Sequence, residues 1–177
     1  MFFVESVEAF ALCPHCGEPL EYHSRVVRAV KDITGKESVY IIRVLKCVNE
    51  ACPTKYHREL PNMIIPYKRF DAESFEEALN QDGTLTTIAA EESTIWRWRK
   101  WFALNAVNIM MALISVAAVI GDNVKSSALA IKKQNSNKPM ETIKKILARQ
   151  VYWLNETVRL LVNFSKWKFN RSAFLSG

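Results

Sequence analysis

The 177-residue chain fits one domain or two small ones, and its 49% hydrophobic and 24% charged residues exclude a disordered or collagenous protein. Lys and Arg outnumber Asp and Glu by 24 to 18, a net charge of +6 that favours a polyanionic partner without demonstrating one. Four cysteines are too few for a disulfide scaffold of this size, and Glu5 and Glu8 interrupt an N-terminus that has no basic leader region. The expected setting is cytoplasmic, with the cysteines serving zinc or redox chemistry.

The cysteines come first in the chain. Cys13-Pro-His-Cys16 places two thiols on one tight knuckle, and Cys47-Val-Asn-Glu-Ala-Cys52 supplies a second pair thirty residues later. Both spacings suit a tetrahedral ion. Between the pairs, Tyr22–Val30 and Val39–Lys46 are rich in β-branched and aromatic residues, and Lys31-Asp-Ile-Thr-Gly-Lys36 separates them as a turn with Gly35 at a position of positive φ. A third extended run covers Thr54–Leu60. Knuckle, strand, turn, strand, knuckle, strand is the layout of a zinc ribbon, with the metal replacing a core that so short a sheet cannot build. One structural zinc on Cys13, Cys16, Cys47 and Cys52 is therefore expected. A redox Cys-x2-Cys is disfavoured because this region lacks a βαβ pattern. His57 is weighed as a substitute for Cys52, His15 is expected to point outward, and His23 to lie on a strand surface.

A proline-bracketed connector, Pro61 to Phe70, leads to Asp71, a good N-cap for a helix over Ala72–Asn80. Gln81-Asp-Gly83 should end it, and Thr84–Glu91 reads as a second short helix. A third helix starts at Thr94, with Ser93 as its cap. In Thr94-Ile-Trp-Arg-Trp-Arg-Lys-Trp-Phe-Ala103, Ile95, Trp98 and Phe102 make one buried stripe with Trp101 beside it, while Arg97 and Lys100 share the open face. Short helix, tight turn and basic amphipathic helix together describe a helix-turn-helix. Thr94 and Arg97 are then candidates for base contacts and Lys100 for phosphate, with Trp96, Lys68 and Arg69 as further candidate DNA contacts.

The strings Pro66-Tyr-Lys-Arg-Phe-Asp-Ala-Glu-Ser-Phe-Glu-Glu-Ala-Leu79 and Glu92-Ser-Thr-Ile-Trp-Arg-Trp-Arg-Lys-Trp-Phe102 resemble an uncharacterised bacterial family. Its members join a Cys-Pro-x-Cys zinc ribbon to a transposase-like helix-turn-helix and often close in Arg-Ser-Ala-Phe-Leu, as Arg171–Leu175 do here. The pattern is similar to the DNA-recognition end of insertion-sequence transposases. The resemblance implies DNA binding and supplies no established activity.

Ala103–Ile120 is an almost unbroken apolar run that grazes the minimum for a bilayer span. Asn105, Asn108, Ser115 and the adjacent cations weigh against insertion, so a buried helix running on from the third one is expected. Gly121-Asp-Asn breaks the run, and a polar basic loop covers Lys132–Pro139. Met140 to about Phe164 reads as one long helix with a near-heptad stripe of Ile143, Leu147, Val151, Leu154, Val158 and Leu161, packed on the apolar run as a helical hairpin. Its surplus apolar surface suggests a homodimer. Lys166, Lys168 and Arg171, interleaved with Trp167 and Phe169, form a basic tail that suits phosphate contacts or solvent equally.

The expected fold is α+β: a zinc ribbon over 1–65, a helix-turn-helix over 66–102, and a helical hairpin and tail over 103–177. No phosphate loop, nucleophile elbow or set of spaced catalytic carboxylates is present, so a non-enzymatic protein without a small-molecule substrate is expected. The leading function is sequence-specific binding of double-stranded DNA, as a regulator or a transposition accessory. Alternatives are a protein-interaction adaptor and a small membrane-anchored zinc protein.

Overall fold

A computed structural model describes residues 1–4, 11–80, 87–120 and 138–163. The expected α+β architecture is present, among the described residues as a mixed four-stranded sheet followed by four helices. Strands β1 (Phe2–Val4), β2 (Leu20–Lys31), β3 (Glu37–Cys47) and β4 (Tyr56–Arg58) form the sheet. β3 is central. It pairs antiparallel with β2 along one edge, and on its other edge parallel with β1 at Tyr40–Ile42 and antiparallel with β4 at Val44–Lys46. The three strands expected from the sequence are all found, and β1 is an addition that nothing in the local pattern signalled.

The β2–β3 turn follows from its residues. Asp32 Oδ1 accepts the N–H groups of Thr34 (2.9 Å) and Lys36 (3.0 Å), and Gly35 takes the left-handed conformation at φ 82°. Gly35 also lies against Ala89, where a Cβ would come within 2.9 Å of the alanine methyl group. At this distal end of the hairpin, Val30, Ile42 and Ile64 form a small core with Val26, Tyr40 and Leu60 around it. Backbone bonds tie it to the connector, from Lys31 N–H to Arg69 C=O (2.8 Å) and from Asp71 N–H to Lys31 C=O (2.9 Å). Arg28 extends the tie by donating to the carbonyls of Ile65 (3.2 Å) and Lys68.

Helix α1 (Ala72–Asn80) is capped by Asp71, whose Oδ1 accepts the N–H of Ser74 at 2.9 Å. The second short helix expected over Thr84–Glu91 is not found in its described part. Thr87–Ala90 are bends. The reason is tertiary: Ala89 donates its N–H to Ile33 C=O (2.8 Å) in the hairpin turn rather than to a carbonyl one helical turn back. Thr84–Thr86 and Gln81-Asp-Gly83 lie outside the described residues.

Helix α2 runs unbroken over Glu92–Ile120, so the amphipathic third helix and the apolar run are one element, as expected. It crosses the boundary drawn at Phe102–Ala103, and one apolar core spans both sides of that boundary. Ile95, Trp98, Trp101, Phe102, Ile109, Leu113 and Val116 are buried in it. Trp98 stacks on Phe75 of α1 with centroids 4.1 Å apart. By length and composition alone, α2 is apolar enough to cross a membrane, although its buried face is filled by α1 and the two helices that follow.

The expected long C-terminal helix is instead two: α3 (Pro139–Leu147) and α4 (Trp153–Asn163). Ala148 (φ 52°) ends α3 in a left-handed cap, its N–H bonded to Lys145 C=O (3.2 Å) and that of Arg149 to Lys144 C=O (3.0 Å). Glu76 of α1 then caps α4 from across the fold, accepting the N–H groups of Tyr152 (2.7 Å) and Leu154 (3.1 Å). Val151, on the expected stripe, falls in the break and is exposed. The hairpin is therefore one long helix wrapped by short ones. The Lys132–Asn137 loop, Gly121-Asp-Asn, the basic tail and Arg171–Leu175 lie outside the described residues.

Candidate metal centre and candidate nucleic-acid interface

The four cysteines converge at the end of the hairpin opposite the turn. Their Sγ atoms all lie within 4.8 Å of one another, and all four are free thiols. Cys13 and Cys52 are 3.7 Å apart and Cys16 and Cys47 3.5 Å. A disulfide needs about 2.05 Å. Four sulfurs about 2.3 Å from one tetrahedral zinc would lie about 3.8 Å from each other. The donor set and its spacing fit one metal ion such as zinc, with no position left for water.

Each knuckle is shaped locally. In the first, the N–H of Gly17 (φ 76°) bonds Cys13 C=O and the N–H of Cys13 bonds Glu18 C=O, both at 2.8 Å. In the second, Asn49 Oδ1 accepts the N–H of Ala51 (2.9 Å) and Asn49 C=O that of Cys52 (3.1 Å), an Asx turn that folds the Cys47–Cys52 loop back on itself. Cys13, Cys47 and Cys52 are buried while Cys16 is exposed. The backbone hydrogen bond from Glu18 brings the Cys16 thiol down to about 7, whereas burial pushes Cys47 up to about 12 and raises Cys52. Buried thiols of this kind ionise when a cation neutralises them.

The histidines sort as the sequence suggests in two cases. His15 is exposed, and His23 lies on the β2 surface against the Tyr56 ring. His57 is different: its Nε2 lies 3.4 Å from Cys13 Sγ and 3.1 Å from Thr54 C=O, so it adjoins the cluster without replacing Cys52. Burial lowers its pKa.

The expected DNA-contact residues divide. At the start of α2, Trp96, Arg97 and Lys100 are exposed, and Thr94 is half-buried. Lys100 Nζ sits 4.8 Å over the Trp96 ring. Arg97 folds back along the helix to Ser93 C=O and Thr94 Oγ1, each at 3.1 Å. Arg69 is exposed in the connector. Lys68 is not at the surface: it is buried with Nζ 4.8 Å over the Trp101 ring, and burial lowers its pKa to about 8. Its burial over Trp101 removes it from the candidate DNA contacts.

Residues 13–98, just under half of the chain, match the family described as a domain of unknown function (DUF6431). The match takes in both knuckles, the connector, α1 and the start of α2 through Trp98. No solved structure matches.

Proposed function

We propose that the chain is a non-enzymatic cytoplasmic protein that binds double-stranded DNA in a sequence-dependent way, with one structural zinc on Cys13, Cys16, Cys47 and Cys52. The observation that carries this reading is the two-sidedness of α2's first turns. Ile95, Trp98, Trp101 and Phe102 are locked into the core, while Trp96, Arg97 and Lys100 project from the opposite side. A rigid helix end with cationic and aromatic side chains outward suits insertion into a major groove, and the net charge of +6 favours the approach. The helix pair involved is α1 and α2, joined by a longer connection than the tight turn of a simple helix-turn-helix. Regulation of transcription and assistance to transposition both fall within this activity.

A second reading has its own support. Leu104, Val107 and Met111 on α2 are 66%, 54% and 50% exposed, a row at helical spacing that suits a protein surface. A second copy of the chain accounts for the row while keeping the DNA-binding role, since paired half-sites match a two-fold dimer. An adaptor protein would use the row without DNA.

Selection from a random duplex library with the purified, zinc-loaded chain tests the reading. Enrichment of one motif, repeated as two half-sites if the protein is a dimer, is the expected result. Recovery of no motif, with no retention of any duplex at low salt, would overturn it in favour of the adaptor.

A further inference from the structure

The imidazole of His57 has a definite chemical role at the cysteine cluster. A backbone carbonyl oxygen can only accept hydrogen bonds, so a ring nitrogen 3.1 Å from Thr54 C=O must carry a proton. The same nitrogen, Nε2, is 3.4 Å from Cys13 Sγ. A protonated ring nitrogen has no lone pair for a metal. We propose that His57 is a positioning residue for the metal centre, sharing its Nε2 proton between Thr54 C=O and Cys13 Sγ and thereby holding the Cys13 thiolate in the ligand set.

Three features of the site support that role. Four thiolates around a divalent cation leave a net charge of −2, and donors to sulfur are the means by which a protein spreads such charge. Cys13 is buried, so water cannot serve as the donor to its sulfur on that side. His57 belongs to β4, which pairs with β3 through Leu45 two residues before Cys47, so the strand that brings the second knuckle into place also delivers the imidazole. The sequence makes the residue visible as Pro53-Thr-Lys-Tyr-His57 directly after Cys52, where spacing disfavours it as a replacement ligand but does not say what it does instead. The contact to Thr54 C=O supplies that.

The inference rests on the zinc assignment and is independent of DNA binding. The test uses the full chain loaded with Co2+ for spectra and with Zn2+ for transfer to a chromophoric chelator, in wild type, His57→Phe and His57→Gln. Wild type should give the absorption of a four-sulfur Co2+ site, and His57→Phe should keep that spectrum while releasing Zn2+ about tenfold faster, the lower end of the effect of removing a partner of a metal ligand. His57→Gln, which retains a side-chain N–H donor, should recover part of the slower rate. A three-sulfur, one-nitrogen Co2+ spectrum in wild type would overturn the proposal by making His57 a ligand. Release from His57→Phe at the wild-type rate would overturn it as well. So would equally fast release from both variants, because the donor would then not matter.

Discussion

The two ends of the protein are held together by different physics. At the knuckle end the buried cluster is Cys13, Cys47 and Cys52, with Leu20 half-buried against it and Leu45 buried two residues before Cys47. In the helical body, Trp98, Trp101, Trp153, Phe75, Ile109, Leu113 and Leu161 are buried in one continuous core. The first end has little apolar surface to offset its ordering, so a metal ion held by its four thiols would carry much of its stability; the second has a continuous apolar core. Between them the β2–β3 hairpin is divided, its distal half tied to the connector by Arg28, Lys31 and the Val30–Ile42–Ile64 core. A module held by such a metal should therefore be lost while the body stands. That separability can be attacked from either side.

The largest effect should come from removing the metal. Apparent zinc-binding energies of about 10–16 kcal/mol in small zinc modules exceed anything the knuckle core can replace. Cys47→Ser should abolish stoichiometric zinc and remove hydrogen-exchange protection from Leu20–Tyr22 and Tyr56–Arg58, with α2 and α4 still protected. The ties at the distal hairpin should confine the loss to the knuckle end. Loss of protection throughout α2 would contradict the division.

Next in size is Trp98→Ala in the body. Trp98 is 4% exposed and touches both Phe75 and Phe70, so its removal should cost about 3–5 kcal/mol in denaturant unfolding of the helical part. One equivalent of zinc should remain bound. A wild-type melting curve would mean that the face of α2 assigned to the core is not buried.

Lys68 sharpens the picture of the body through pH. Burial lowers its pKa from 10.5 to about 8, so between these values the unfolded chain binds more protons than the folded one and stability rises with pH. Its contribution is fully present above 10.5 and lost as pH falls through about 8. Lys68→Met should be more stable than wild type at pH 7 and should lack that part of the slope across the window. Identical pH profiles for the two proteins would place Lys68 in solvent.

The parts legible in the sequence were those set by local chemistry. The four cysteines announce their cluster by spacing, Asp32 and Gly35 announce the hairpin turn, and the Ile95–Trp98–Phe102 stripe identifies the buried side of α2. What stayed hidden depends on distant partners. The break between α3 and α4 preserves the apolar periodicity, because Ile143 and Leu154 are buried on either side of it; the signal for it is Glu76, which caps α4 from α1. Thr87–Ala90 could have been helical but for the carbonyl of Ile33. Lys68 looks like a surface cation until Trp101 is placed beside it. His57 lies between the two classes, adjacent to the motif yet defined only by its contacts with Cys13 and Thr54.

The DNA-binding role proposed for α2 is tested most directly by the salt dependence of duplex affinity in wild type, Lys100→Ala and Arg97→Ala. Neither side chain belongs to the core, so both variants should fold as wild type does. Affinity of wild type for any duplex should fall steeply as salt rises, and Lys100→Ala should weaken all duplexes alike and lower that slope by about one unit. Arg97, once released from Ser93 and Thr94, should discriminate at one base pair by about 1–3 kcal/mol, a preference that Arg97→Ala should relax. Binding by both variants that matches wild type in strength, slope and preference would contradict the assignment of α2 to the DNA.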